Sequence, residues 1–304
     1  VSLERLKERL SSLLGVDELR FGEPMSRHTS FRVGGPADVW ARPSGPDAEQ
    51  KAGRLLRIAR EEAVPVFILG GGANLVVADA GIRGLALDSG GLASLAFDPA
   101  GGDAAFFSAG AGLSMDDAVE ACAARSLGGL EFLAGMPGTV GGAVWMNARC
   151  YGRSVSDVLS ETAILDERLE RAVVPFDPGA FGYKRSPFQG RDALILSARF
   201  RLEPRPEAEL RAAAAAHRAD REAKGHYRLP SAGSAFKNNY SYGKPTGQVV
   251  DELGLRGLRV GGARVAPWHG NIIVNEGTAT AEDIRALTEE IRRRVYAAVG
   301  LRLE

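Results

Sequence analysis

Two glycine clusters carry the chemistry most readily read from this chain. The first is Ile68-Leu69-Gly70-Gly71-Gly72-Ala73-Asn74-Leu75, in which the apolar run Val66 to Leu69 breaks into three glycines. A short apolar run bounded by a turn reads as a buried strand. Three residues without side chains let backbone N–H groups converge on an anion, and the usual anion is a phosphate. The second cluster is Gly135-Met136-Pro137-Gly138-Thr139-Val140-Gly141-Gly142-Ala143, ahead of Trp145, Met146 and Asn147. Either cluster alone reads equally as a plain strand-to-helix turn, whereas the pair favours a dinucleotide held between separate loops. The common phosphate loops do not fit. A G-x-G-x-x-G fingerprint starting at Gly70 needs glycine at position 75, which is Leu75, and there is no G-x-x-x-x-G-K-[ST].

Two polar stretches could act on a substrate. Pro230-Ser231-Ala232-Gly233-Ser234-Ala235-Phe236-Lys237-Asn238-Asn239 offers hydroxyl, amide and ammonium donors in a turn. Ser234 has no G-x-S-x-G elbow and no neighbouring histidine, which argues against a hydrolase nucleophile. It reads either as part of a polar loop or as a hydroxyl that donates a proton. Phe181-Gly182-Tyr183-Lys184-Arg185-Ser186-Pro187-Phe188-Gln189 sets two adjacent cations among aromatics. Such a pair is solvated surface or a carboxylate or phosphate grip, and Pro187 favours an ordered turn. His28, His217, His226 and His269 show no metal-ligand spacing. His217 reads as a surface residue, and His269 serves structure or substrate equally well.

The elements that must hold these residues follow from periodicity. Residues 3–14 and Ala48 to Glu62 read as amphipathic helices, and the second feeds the strand before Gly70. His28 to Asp38 reads as an extended segment, and Leu85-Ala86-Leu87 as a strand after the turn marked by Asp79, Gly81 and Gly84. Ser114-Met115-Asp116-Asp117 has the form of a capped helix start. Ala163 to Phe200 is β-rich, and Ala208 to Lys224 is helical. A last helix opens near Thr280 with Ile284, Leu287, Ile291, Val295 and Ala298 as one apolar stripe. The composition shift at Glu203-Pro204-Arg205-Pro206 divides the chain into residues 1–204, with lobes of about 1–88 and 89–204, and residues 205–304.

With 38 Lys+Arg against 38 Asp+Glu, the balance of charge gives no support to nucleic-acid binding. Cys122 and Cys150 make neither a disulfide framework nor a C-x-x-C zinc pair, and read as packing residues. There is no apolar run long enough to span a bilayer and no secretory pattern, so neither membrane insertion nor export is expected and a cytoplasmic setting is.

Taken together, these motifs resemble the UDP-N-acetylenolpyruvoylglucosamine reductase family. The likeness runs through His28 to Asp38, Leu69 to Leu75, Gly135 to Asn147, Tyr183 to Phe188, Pro230 to Asn238, Leu258 to Gly262 and Asn271 to Asn275. It implies an α+β fold, with a two-lobed FAD-binding domain of the vanillyl-alcohol-oxidase type followed by a smaller α+β substrate domain. It implies non-covalent FAD held by Gly70, Gly71, Gly72, Ala73 and Asn74, and by Gly135, Pro137, Gly138, Thr139, Gly141 and Gly142, with Arg32, Gly34 and Gly35 adding to the flavin surface. NADPH would supply hydride through the flavin to the enolpyruvyl ether of UDP-N-acetylglucosamine-enolpyruvate, giving UDP-N-acetylmuramate for peptidoglycan. Ser234 would protonate the alpha carbon, and Tyr183, Lys237 and Asn238 would bind the substrate.

This chain departs from the family pattern in three places. The family's Tyr-Arg-x-Ser-x-Phe stands here as Tyr183-Lys184-Arg185-Ser186-Pro187-Phe188, so register favours Lys184 as the catalytic cation, with Arg185 the alternative. The family's catalytic glutamate matches no residue up to Glu304. Ala73 and Arg149 stand where serine and glycine are common, and the short stretch between Gly152 and Tyr183 resembles the branch without a long closing loop. Two other readings remain: an FAD-dependent sugar or alcohol oxidase on the same fold, and a catalytically impaired form that binds flavin and nucleotide sugar.

Overall fold

The computed structural model describes residues 2–98 and 105–304. It is a mixed α+β chain forming two compact units that interleave along the sequence. The first holds the chain up to Glu23, Asp38–Gly71 and Arg83–Ala219; the second holds Pro24–Ala37, Gly72–Ile82 and Asp220–Glu304. The second unit therefore draws two inserts from the N-terminal part of the chain. It takes over at Asp220, within a helix, rather than at the Pro204–Arg205 composition shift.

The first unit begins with α1 (Ser2–Ser11), β1 (Leu19–Pro24), β2 (Pro36–Ala41), α2 (Ala48–Glu61), β3 (Val66–Leu69) and β4 (Ile82–Asp88). The strands run in the order β1-β2-β4-β3, and β3 pairs in parallel with β4 from Val66 opposite Leu85 to Leu69 opposite Asp88. Apolar residues at helical spacing bury one face of each helix: Leu6 and Leu10 of α1 and Ala52, Leu55 and Ala59 of α2 pack with Val39, Leu85 and Leu87. The strand before the first glycine cluster is not buried, as its apolar run suggests, but lies at the sheet edge. Phe67 and Ile68 are each 39% exposed, and only Leu69 is buried. With a neighbour on one side alone, the strand leaves much of its surface uncovered.

The first unit continues with β5 (Leu95–Asp98), β6 (Ala105–Gly110), α3 (Met115–Ala123), β7 (Leu127–Gly128), α4 (Val140–Trp145), the hairpin β8 (Arg149–Cys150) and β9 (Arg153–Ser154), β10 (Leu159–Leu165), β11 (Arg171–Pro175), β12 (Leu194–Pro204) and α5 (Glu207–Ala223). Their sheet runs β11-β10-β12-β6-β5 with β7 on β12, all neighbours antiparallel. Phe107, Phe200, Leu202, Val119, Leu133 and Val144 fill its core. Ser114 caps α3, its hydroxyl accepting the Asp117 N–H at 3.0 Å. Cys122 is buried, and burial pushes its thiol up. Cys150 donates to the Phe132 carbonyl at 2.9 Å. Among the described residues neither cysteine is in a disulfide.

The second unit contains α6 (Thr246–Glu252), β13 (Arg259–Val260), β14 (Ala263–Val265), β15 (Ile273–Asn275) and α7 (Ala281–Val299), with strand order β13-β14-β15. Ile284, Leu287, Ile291 and Val295 of α7 are buried against Phe31, Phe236, Val250 and Val265. Ala298, the fifth residue of the expected stripe, is exposed, and Leu301 and Leu303 beyond the helix close this core instead. Thr280 and Asp283 form a capping box, and Asp79 accepts the N–H groups of Ala281 at 2.8 Å and Glu282 at 3.0 Å. The segment from His28 is a turn rather than extended. Thr29 Oγ1 donates to the Val33 carbonyl at 2.8 Å, the Arg32 N–H donates to the Thr29 carbonyl at 3.0 Å, and strand begins only at Pro36. Among the described residues, no helix is long and apolar enough to cross a membrane.

Candidate functional site

In the first unit the end of β3 delivers Gly70 and Gly71 to the entry of α4. A Cβ on Gly71 would lie 2.7 Å from the Gly138 Cα, and one on Gly70 would lie 2.9 Å from Thr139 Oγ1. The two glycine clusters, far apart in sequence, thus meet backbone to backbone. Thr139 caps α4 by accepting the Gly142 N–H at 3.4 Å, while the Val140 and Gly141 N–H groups go to the carbonyls of Leu113 and Ala111 at 2.9 and 2.8 Å. Among the described residues, none accepts the N–H of Gly71 or Thr139. Glycines that admit no side chain, bordered by unpaired donors, fit the diphosphate of a dinucleotide.

The other glycines of these motifs have different reasons. Gly141 is required by packing, since its Cβ would meet that of Ala111 at 2.7 Å. Gly135 has φ +72° and donates to Asp116 Oδ1 at 2.8 Å. Pro137 and Gly142 are exposed. Arg149 meets no crowding, because its side chain points outward and donates to Ser154 Oγ at 3.5 Å.

The aromatic-flanked turn at 181–189 is tied directly to α4. Ser186 Oγ donates to the Trp145 carbonyl at 2.6 Å, and Gln189 Nε2 bridges that carbonyl at 3.0 Å to the Lys184 carbonyl at 3.1 Å. Buried Asn147 donates to the Gly182 carbonyl at 2.9 Å and accepts the Ser156 N–H at 3.1 Å. Within this frame Lys184 takes φ +56° and is half-buried, whereas Arg185 is exposed. Burial lowers the Lys184 pKa, and the nearby Cys150 thiol opposes the shift. Tyr183 is 37% exposed.

In the second unit, Gly34 and Gly35 serve close packing. A Cβ on Gly35 would fall 1.9 Å from the Asp79 carbonyl oxygen, and one on Gly34 would fall 2.8 Å from Val77 Cβ. Gly72 has φ +61° and would collide with the His28 carbonyl. Its own carbonyl accepts the Ser30 N–H at 3.0 Å, and the Ser30 hydroxyl donates to the Ser231 carbonyl at 2.6 Å. Arg32 is exposed with φ +57°, Ala73 is half-buried and Asn74 is exposed.

Ser234 and Asn238 line one cavity of about 260 Å³ with Gln248, Trp268, His269 and Asn271. Asn238 Oδ1 accepts the Thr246 N–H at 3.0 Å, which anchors it beside α6. Lys237 is not among the lining residues; its ammonium pairs with Glu304 at 3.3 Å. His226 and His269 stand 6.1 Å apart between ring centroids, and burial lowers the pKa of each. His217 is half-buried rather than a free surface residue, its ring tilted against Tyr151 with centroids 4.1 Å apart.

Sequence reasoning names Asn147, Asp79 and Asn271 only as members of a motif or a turn and gives none of them a role. Each is a buried or bridging side chain whose partners are backbone groups, so no side-chain motif announces it. The only available signal is an Asn or Asp beside a glycine or at a strand end, where such residues commonly bond backbone.

The chain is similar to known proteins over nearly its whole length. Residues 225–304 match the family described as UDP-N-acetylenolpyruvoylglucosamine reductase, C-terminal domain, and residues 45–168 match the FAD binding domain family. The UDP-N-acetylenolpyruvoylglucosamine reductase of Treponema pallidum is 39% identical, covering 92% of this chain and 90% of that protein. The UDP-N-acetylenolpyruvoylglucosamine reductase 2 of Symbiobacterium thermophilum is 39% identical, covering 98% and 94%. Among solved structures, the UDP-N-acetylenolpyruvylglucosamine reductase of Thermus caldophilus superposes with a TM-score of 0.76 at 33% identity, covering 94% of this chain and 96% of that one.

Proposed function

The chain belongs to the UDP-N-acetylenolpyruvoylglucosamine reductase family, and on that premise we propose that it is the flavoenzyme reducing UDP-N-acetylglucosamine-enolpyruvate to UDP-N-acetylmuramate. FAD is its non-covalent cofactor, NADPH its hydride donor, and the product a peptidoglycan precursor made in the cytoplasm. The observation that carries this reading is the meeting of Gly71 with Gly138, with the Gly71 and Thr139 N–H groups left to bind the FAD diphosphate.

When bound, FAD supplies the two-electron relay from NADPH to the terminal alkene carbon of the enolpyruvyl ether. The protein supplies binding, charge and a proton. Electron density arriving at the alkene moves toward the substrate carboxylate, where a fixed cation stabilises it. Lys184 fits that role better than Arg185, because it is half-buried on a turn bound to α4. A lysine acts as a point charge and lacks the bidentate fork of arginine. Ser234, at the wall of a polar cavity, donates the proton to the alpha carbon. Lys237 and Asn238 hold the nucleotide part, Lys237 by exchanging Glu304 for a phosphate oxygen, and Tyr183 is a further substrate-binding residue.

Anaerobic stopped-flow absorbance on the FAD-loaded protein tests this reading. NADPH should bleach the flavin band, and added UDP-N-acetylglucosamine-enolpyruvate should restore it with formation of UDP-N-acetylmuramate. Recovery with oxygen and an alcohol or sugar instead, or no bleaching by NADPH, would reject it.

A further inference from the structure

We propose that Asn271 is a positioning residue for Ser234. This inference rests on Ser234 being the proton donor. The Ser234 hydroxyl has no hydrogen-bond partner among the described residues, and the residue is exposed. Its placement therefore depends on the backbone that carries it, which pairs with the β15 approach through a Ser234–Ile272 bridge.

Asn271 holds that backbone with its main chain and with both side-chain atoms. It is 4% exposed. Its carbonyl accepts the Ala235 N–H at 2.8 Å, its Oδ1 accepts the Phe236 N–H at 3.0 Å, and its Nδ2 donates to the Phe236 carbonyl at 2.9 Å. The side-chain amide thus closes a ring with the N–H and C=O of one residue, as a neighbouring strand would. Phe236 is 3% exposed in the core around α7, so the residue two places after Ser234 is fixed by ring and peptide together. The Asn271 N–H in turn donates to His269 Nδ1 at 3.1 Å, which orients that ring in the same cavity. An aliphatic residue at 271 would leave two buried backbone groups of Phe236 without partners, and the segment bearing Ser234 would shift to recover them. Displacement of a reacting group by about 1 Å can cost about 10²-fold in rate.

The test uses the FAD-loaded protein with Asn271→Ala and Asn271→Asp, each alone and combined with Ser234→Ala. If Asn271→Ala does not fold, Asn271→Asp, which keeps the acceptor for Phe236 N–H, carries the measurement. Bleaching by NADPH should stay within about threefold of wild type. Recovery with UDP-N-acetylglucosamine-enolpyruvate should slow by about ten- to a hundredfold, with KM nearly unchanged and a larger solvent deuterium isotope effect. On the Ser234→Ala background the same substitutions should slow recovery no further, because the group they position is gone. Additive losses in the double variants, or wild-type recovery in both single variants while Ser234→Ala is slow, would overturn the clamp but leave the function standing. If Ser234→Ala itself recovers like wild type, the clamp falls together with the proton-donor role.

Discussion

Gly71 and Gly138 touch through their backbones: a Cβ on the first would lie 2.7 Å from the Cα of the second. The obstacle is main chain, which cannot rotate away as a flexible side chain does. Gly71→Ala must therefore push β3 and the α4 entry apart at the point proposed to bind diphosphate. We expect loss of about 1–3 kcal/mol of stability from the overpacking, and FAD affinity reduced at least tenfold. Thermal melts of the FAD-free protein and fluorescence titration with FAD separate the two effects. Gly53→Ala in α2 is the control, since its Cβ would meet nothing nearer than the Leu165 Cδ1 at 3.5 Å.

Much of this arrangement is legible in the sequence, and the exceptions share a cause. The capped starts at Ser114 and Thr280 and the helical stripes are local patterns, and the structure forms them where the pattern says, except at Ala298. The edge position of β3 is not local, because an apolar run of four residues is the same whether one neighbour or two pair with it. The turn at 28–35 is likewise hidden, because it closes on Ala78 and Gly72 through backbone bonds. For the site, glycine-rich composition announces the loops but not the reason for each glycine. Gly71 makes room for a backbone crossing, Gly141 for the Ala111 methyl, and Gly35 for the Asp79 carbonyl. Those distinctions are set by partners dozens of residues away or more.

Glu18 makes stability depend on pH at the acid end. Burial works to raise its pKa, but hydrogen bonds from the Gly15 N–H, Lys51 and Ser44 outweigh that and hold it at about 2, against an ordinary 4.5. Because the folded pKa is the lower one, the stabilisation is fully present above pH 4.5 and is lost as pH falls toward 2. Glu18→Gln should cost about 1–3 kcal/mol at neutral pH. The gap between wild type and variant in urea midpoint should close as pH drops through that window. A gap that stays constant would assign the effect to packing instead.

Ser234→Ala separates proton donation from hydride supply. On the proposed role the hydroxyl is needed only where the alpha carbon takes its proton, so NADPH should still bleach the flavin band. Recovery with the enolpyruvyl substrate should fall by about 10²–10⁴-fold, the range for loss of a general acid. Equal slowing of both phases would reassign Ser234 to binding.

Lys184 predicts an alkaline limit on the same recovery phase. Burial lowers its pKa below the ordinary lysine value of about 10.4, with the Cys150 thiol opposing the shift. On the proposed role the working form is the cation, so raising the pH through that lowered pKa would remove the charge that stabilises the substrate carboxylate. Recovery should therefore decline at a lower pH than an exposed lysine would give, while bleaching by NADPH keeps its own profile. Lys184→Met should slow recovery by about 10²–10³-fold at neutral pH, the range for losing one group that stabilises developing charge. Lys184→Arg keeps a cation that does not deprotonate in the accessible range, so it should retain activity and lose the alkaline decline. Arg185→Ala decides between the neighbours: Arg185 is exposed, and its loss should change recovery by less than about threefold. A large loss from Arg185→Ala with a small one from Lys184→Met would exchange their roles.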